Sequence, residues 1–329
     1  MRNLITDVCG LRIGHAEDMR LCSGVTAVIF DEPAAGSIDV RGGGPGTRET
    51  ALLDPAQTVE GIDAITLAGG SAFGLDAASG VQAWLREQGR GFAVRSAKVP
   101  IVPAAILFDL LSGGDKNWGR FPPYRDLGYA AAASAGLEFP IGSVGAGTGA
   151  TTVNCKGGIG SASAQTPDGI TVGALAAVNA AGSVVVGGGP WFWAAPFELD
   201  REFGGLGLPQ TLPARALDAV TKGSPRENTT LVVVATDAIL NKAQAKRLAV
   251  MAQSGLSRAI YPVHSPLDGD VVFAAATGRL PLGDATLGLT ALGTLAANVV
   301  ARAIARGVHA AAALPLPRAL PSWRDQFGR

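Results

Sequence analysis

Short glycine clusters set beside apolar runs constrain this 329-residue chain more than any other feature. Gly42-Gly43-Gly44, Gly69-Gly70, Gly145-Ala146-Gly147-Thr148-Gly149, Gly157-Gly158 and Gly187-Gly188-Gly189 are spread along the sequence rather than gathered in a linker. The 45 glycines are well above the usual share of about 7%. Most clusters flank strand-like segments, so they read as tight turns where one backbone approaches another. Strands are expected near Ala27 to Phe30, Ala64 to Ala68, Thr171 to Val178, Ser183 to Val186, Leu231 to Ala235, Ala259 to Tyr261 and Val271 to Ala275. Apolar residues spaced three or four apart predict a helix capped by Ser71 and running through Leu75, Ala78, Val81 and Leu85 to Gly89. The same spacing predicts helices around Ala104 to Leu111, Tyr129 to Ala135, Ala245 to Ala252 and Leu292 to Ala303. Strands and helices alternate irregularly, which favours a mixed α/β sandwich over a doubly wound parallel sheet. The proline-punctuated connection Leu206 to Arg226 divides one fold rather than joining two, so residues 1–329 read as a single domain.

Lysine plus arginine equals aspartate plus glutamate, 27 each, which leaves no electrostatic case for nucleic acid or an anionic membrane as partner. Charged residues are only 16% against 47% hydrophobic, a balance that points to apolar surface covered by further copies, hence a homo-oligomer. The first residues lack the apolar core of a signal peptide, and no uninterrupted apolar run reaches membrane-spanning length. Cys9, Cys22 and Cys155 form neither a disulfide framework nor a zinc signature, so the expected setting is reducing and cytoplasmic.

Chemistry concentrates at Glu227-Asn228-Thr229-Thr230, where a polar loop meets the apolar run Leu231-Val232-Val233-Val234-Ala235. Thr229 is a hydroxyl residue at the mouth of a buried strand. Some hydrolases cut their own chain before such a threonine, so that one residue supplies a nucleophilic hydroxyl and a free α-amine as its base. An α-amine titrates near 7.7 to 8.0, so a useful fraction is neutral at neutral pH. Threonine is also common at strand starts for its β-branching alone. Asp268-Gly269-Asp270 precedes Val271-Val272-Phe273, and period-two alternation puts both carboxylates on one side. Such a pair shifts one carboxyl upward or recruits a partner, while Asp-Gly is equally a hairpin turn.

Other motifs carry less. Arg41 to Arg48 lacks the ending of a phosphate-binding loop, and Gly145 to Ala150 has no βαβ unit around it. Amides in such turns suit a developing oxyanion equally well. His15, His264 and His309 have no partners at metal-ligand spacing. No cofactor or metal is expected. Trp191-Phe192-Trp193 reads as a substrate wall or as subunit packing.

Four motifs in order carry a family resemblance: Leu67 to Ala78 (LAGGSAFGLDAA), Gly145 to Ala150 (GAGTGA), Lys156 to Gly160 (KGGIG) and Asn228-Thr229. Together they resemble the self-processing peptidases of the L-aminopeptidase/D-esterase (DmpA) type, in the threonine branch that includes nylon-oligomer hydrolase. The resemblance implies an αββα sandwich akin to the N-terminal-nucleophile hydrolases. It also implies cleavage into an α chain, Met1 to Asn228, and a β chain, Thr229 to Arg329, that assemble as tetramers or larger. Matched position by position, Thr229 is the nucleophile, Asn179 contacts the reacting carbonyl or its oxyanion, and Asp268 and Asp270 are the acidic pair. The family lysine has two counterparts: Asn154 stands nearest its place and Lys156 could reach the same space. Phe108 stands where the nylon-oligomer branch has a tyrosine. The reading is an aminopeptidase acting on small peptides or amino-acid amides. The alternatives are an ω-amino-amide or pantetheine-like hydrolase, or an unprocessed binding homologue.

Overall fold

The computed structural model describes residues 1–222, 228–266 and 268–328. Glu227, the end of the polar loop before it and Leu267 lie outside the described residues. The strands are β1 (Leu11–Asp18), β2 (Ser23–Val40), β3 (Thr47–Arg48), β4 (Gly61–Ala68), β5 (Phe92–Val94), β6 (Ala97–Val99), β7 (Ala104–Ile106), β8 (Gly158–Gln165), β9 (Thr171–Asn179), β10 (Thr229–Ala238) and β11 (Val271–Leu280). The helices are α1 (Ala77–Glu87), α2 (Tyr124–Ala133), α3 (Lys242–Ala259), α4 (Leu287–Ala310) and α5 (Trp323–Phe327).

One strand joins the two halves. The first part of β2 pairs with β1 and β4, and its register against β4 shifts between Ile29 and Ala34. Its last part pairs with β11 instead. Hydrogen bonding therefore runs continuously through β3-β7-β4-β2-β11-β10-β9-β8. The strands nonetheless form two layers. Val28, Phe30, Ile65 and Leu67 from one meet Leu175, Leu231, Val233 and Phe273 from the other in a shared core. A second core packs α3 and α4 on β8 to β11, and a third packs α1 and α2 on β1, β2 and β4. The result is the αββα sandwich.

β10 shows how sequence dictates this. All of its residues are buried, and alternate ones enter different cores. Val232 and Val234 pack against helices, whereas Leu231 and Val233 pack between the sheets. Burying each such side chain contributes roughly 1.5–3 kcal/mol, which favours this continuous apolar run as an interior strand over an edge one. α3 starts at a capping box formed by Asn241 and Gln244. The 24-residue α4 is long and apolar because it is a core helix packed on β8, β9 and α3.

Several expectations are corrected here. The segment expected as a helix from Ala104 to Leu111 is the short strand β7, paired with β4 and β3. Its apolar spacing reflects burial on both faces, and pairing with a strand on each side overrides helical periodicity. Ser183 to Val186 and Ala259 to Tyr261 are not strands. They meet at one bridge, Ser183 with Tyr261, and Ala259 ends α3. Ser71 does not cap α1 by its side chain; it opens a tight 3-10 turn over Ser71–Asp76 with φ of +53°. Phe192 belongs to an intrachain aromatic cluster with Phe203, His309 and Trp323, so part of the Trp-Phe-Trp run is core.

Candidate active site

Four strand ends meet at one point because of their directions. β10 is parallel to β11 and antiparallel to β9, and β11 is antiparallel to β2. The starts of β10 and β11 therefore lie beside the ends of β9 and β2. Thr229 opens β10 with Asn179, the last residue of β9, as its register partner. Asp270 immediately precedes β11, and Arg41 to Gly44 follow β2. The sheet thus brings together Thr229, Asn179, Asp268 and Asp270, which are up to 91 positions apart in the chain.

Thr229 is buried, and its hydroxyl Oγ1 lies in a very short contact with the carbonyl oxygen of Asn228, to which it donates. The hydroxyl thus sits against the peptide bond that precedes its own residue. Gly269 passes alongside, where a Cβ would fall 2.6 Å from Thr229 Oγ1. The neighbouring amide, Thr230 N, donates to Asp270 Oδ1 at 2.9 Å. Asp270 Oδ2 accepts from the backbone N–H of His264 at 3.1 Å and from its ring Nδ1 at 2.9 Å. His264 reaches this oxygen twice because its backbone adopts the left-handed region, φ +56°, which non-glycine residues rarely occupy. Asp270 therefore clamps the start of β10 and is itself held by a histidine.

Asp268 differs from its neighbour. Burial, and then the charge of Asp270, push its carboxyl up to about 8, while the Ala181 amide and Lys222 oppose the shift. Its Oδ1 is buried and has no hydrogen-bond partner among the described residues. A carboxyl in this state carries a proton at neutral pH and is poised to exchange it. Its backbone is also fixed, because Gly44 N donates to Asp268 O at 2.8 Å and the Arg41 and Gly42 amides donate to Asp270 O.

The side chain of Asn179 is oriented by its neighbours. Thr151 N donates to its Oδ1 at 2.9 Å and Lys222 Nζ does so at 3.1 Å, while its Nδ2 donates to Phe108 O at 3.0 Å. Two donors on one side and a carbonyl on the other assign the amide without ambiguity. Phe108, Thr151 and Lys222 also line a cleft of about 560 Å³, whose far wall is the segment around Leu314 to Leu320.

Lys156 is wholly buried, and its Nζ donates to the carbonyls of Gly147, Ala150 and Gly157 at 2.8–2.9 Å. All three donors are thereby used, which ties the Gly145–Gly147 turn to β8. Burial above all brings its amine down to about 7, with the charge of Lys222 acting in the same direction. Asn154 lies elsewhere, accepting long contacts from Thr152 and Ser183 beside a second cleft. The Leu67 to Ala78 motif wraps a buried carboxylate, Asp109, which accepts from Gly70 N and Ser23 Oγ at 2.7 Å each. Sequence reasoning missed His264 and Lys222. The only signal for His264 was its place six residues before Asp270; Lys222 carried none beyond its nearness to the Asn228-Thr229 junction.

The model of peptidase family S58 matches residues 3–318 of this chain. The chain belongs to that family. An uncharacterized aminopeptidase of Mycobacterium tuberculosis is 45% identical over 99% of this chain and 98% of its own length. A 6-aminohexanoate-oligomer endohydrolase of Paenarthrobacter ureafaciens is 28% identical over 89% of this chain and 82% of its own. Among solved structures, the L-aminopeptidase D-Ala-esterase/amidase of Ochrobactrum anthropi, described as a variant of the Ntn hydrolase fold, superposes with a TM-score of 0.73. That alignment covers 100% of this chain and 95% of that one at 20% identity. A Burkholderia sp. beta-aminopeptidase gives the same TM-score at 24% identity, covering 100% and 92%. The S58 chain is thus a hydrolase of the aminopeptidase type, and the αββα architecture expected from its motifs is the fold of these structures.

Proposed function

We propose that this S58 chain cuts itself between Asn228 and Thr229 and that Thr229 then serves as an N-terminal nucleophile. The observation that carries the reading is the Thr229 hydroxyl lodged against the Asn228 carbonyl at a clamped strand end. Cleavage would begin when Oγ1 adds to the Asn228 carbonyl carbon. The C–N bond then breaks, the nitrogen takes a proton, and an ester joins Asn228 to Thr229. Water hydrolyses that ester to leave the Asn228 carboxylate and a free Thr229 amine. Asp268 is suited to supply the proton to the departing nitrogen and to be reprotonated by the proton that the Thr229 hydroxyl gives up, because its buried carboxyl is held near 8.

Turnover repeats the same chemistry on an external amide. The Thr229 amine accepts the hydroxyl proton as Oγ1 attacks, and passes it to the leaving amine. Water then releases the acyl group. Asn179, fixed beside Thr229 by the strand register, is the donor toward the developing oxyanion. One such donor typically lowers a barrier by about 2.7–4 kcal/mol. Asp270 holds the Thr230 amide and so the position of the nucleophile.

The substrates in this reading are small peptides or amino-acid amides, in line with the aminopeptidase naming of relatives 45% identical to the chain. A second reading, hydrolysis of ω-amino amides, is favoured by the likeness to 6-aminohexanoate-oligomer endohydrolases. The products are an α chain of residues 1–228 and a β chain of residues 229–329 that stay together as one domain. We read the whole as a cytoplasmic homo-oligomer needing no cofactor. A panel of amino-acid p-nitroanilides, β-amino-acid amides and ω-amino amides, run on wild type and Thr229→Ala, tests the reading. Turnover of at least one class by wild type, lost in the variant, supports it; equal turnover by both points to another nucleophile.

A further inference from the structure

We infer that the cleft beside Asn179 receives an apolar carbon chain ending in a carboxylate, and disfavours a free ammonium group there. The inference rests on the cleft serving the Thr229 centre proposed above. Phe108, Thr151 and Lys222 line its inner end, and each is hydrogen bonded to the Asn179 side chain. A molecule in the cleft therefore has one end at the register partner of Thr229.

The remaining wall sets the chemistry of the other end. Leu111, Leu314, Leu316 and Leu320 offer apolar surface suited to methylene groups. The ionisable side chains lining the cleft are Lys156, Lys222 and Arg318, all basic, and no carboxylate lines it among the described residues. Lys156 has committed its three donors to backbone carbonyls. Lys222 is engaged with Asn179 at the inner end. Arg318 is different. It is exposed, and no ion pair or hydrogen bond engages its guanidinium among the described residues. Its backbone holds φ at +66°, a region that non-glycine residues rarely adopt and that recurs at ligand clamps. A planar guanidinium fork matches a carboxylate in two parallel hydrogen bonds. An ammonium group in the same place would meet like charge, with no carboxylate among the described lining residues to offset it.

The carboxylate can belong to the acyl part of the amide or to its leaving amine, as at the C-terminus of a short peptide. Two arms separate these sources. Ala-Leu against Ala-Leu-amide places the charge on the leaving side, and glutaryl against butanoyl p-nitroanilide places it on the acyl side.

The decisive experiment does not depend on catalysis. Hexanoate, hexanamide and hexylammonium are titrated calorimetrically into the full wild-type chain, and again into Arg318→Glu. Hexanoate should bind at least about tenfold tighter than hexylammonium, the worth of one charge-assisted contact. Arg318→Glu should abolish or reverse that ranking. Equal affinities, the opposite ranking, an unaltered ranking in Arg318→Glu, or no saturable binding of any of the three overturns the inference. If the ranking holds while every amide substrate stays uncut, the proposed hydrolase function fails and the assignment of the cleft stands.

Discussion

Replacing Gly269 with alanine tests whether the position of the Thr229 hydroxyl, rather than the fold around it, controls self-cleavage. The added Cβ would lie 2.6 Å from Thr229 Oγ1 and 2.8 Å from the carbonyl oxygen of Gly44. Ordinary contact begins near 3.4 Å, so about 0.8 Å must be found by moving the hydroxyl or the turn. Threonine has little rotamer freedom to absorb it, and Gly44 is tied to Asp268 by a backbone hydrogen bond. Overpacking of this kind costs about 1–3 kcal/mol of stability, a few degrees in Tm for a chain of this size. A displacement near 1 Å at a reacting atom costs on the order of 100-fold in rate. Gly269→Ala should therefore remain folded while its cleavage slows by roughly that factor. The neighbouring control is Gly44→Ala, whose Cβ meets, among the described residues, only Asp268 O at 3.7 Å. Intact mass followed over time after purification gives the cleavage rate, and calorimetry gives Tm. Cleavage of Gly269→Ala within twofold of wild type, or equal slowing in Gly44→Ala, would refute the reasoning.

Thr229→Ala should stay a single chain and lose amide hydrolysis by more than about 100-fold, whereas Thr229→Ser should still process, as intact mass and rate assays would show. Asp270→Asn should lower both stability and processing, because an amide NH₂ must then face either Thr230 N or the two His264 donors; a Tm within a degree of wild type would contradict this. His264→Asn returns a donor near Asp270 and tolerates the left-handed backbone, so it should process faster than His264→Gly; equal rates would make the ring dispensable. The Asp268 carboxyl rises from an ordinary 3.8 to about 8 in the fold, so the folded chain holds the proton more tightly than the unfolded one. Stability from this group is present below pH 4 and declines as pH rises toward 8, with a slope of up to about 1.4 kcal/mol per pH unit. Uncut Thr229→Ala should show this decline in denaturant melts, and adding Asp268→Asn should flatten it.

The parts of the site that depend on strand identity were legible in the sequence. Leu231 to Ala235 and Val271 to Phe273 are continuous apolar runs, and such runs become interior strands. Thr229 and Asp270 could therefore be placed at strand mouths, and the family resemblance, matched position by position, supplied Asn179. The register that makes Thr229 and Asn179 partners depends on how distant segments pair, and no local pattern encodes it. β8 was hidden for another reason. Its sequence, Gly-Ile-Gly-Ser-Ala-Ser-Ala-Gln, has small residues because α4 packs almost onto it: a Cβ on Gly160 would fall 1.8 Å from Ala303 O. Close helix packing selects against the bulky β-branched residues that usually mark a strand. His264 escaped notice because its role comes from a left-handed backbone that aims both its amide and its ring at one carboxylate oxygen. Lys222 escaped because the contact that matters is with Asn179, 43 positions away.

N-terminal sequencing of freshly purified wild-type protein, separated under denaturing conditions, tests the central claim most directly. The account predicts two fragments, the larger beginning at the start of the chain and the smaller beginning Thr-Thr-Leu-Val, from Thr229 to Val232. A single chain that hydrolyses amides while remaining uncut, or a smaller fragment with any other first residue, would contradict it.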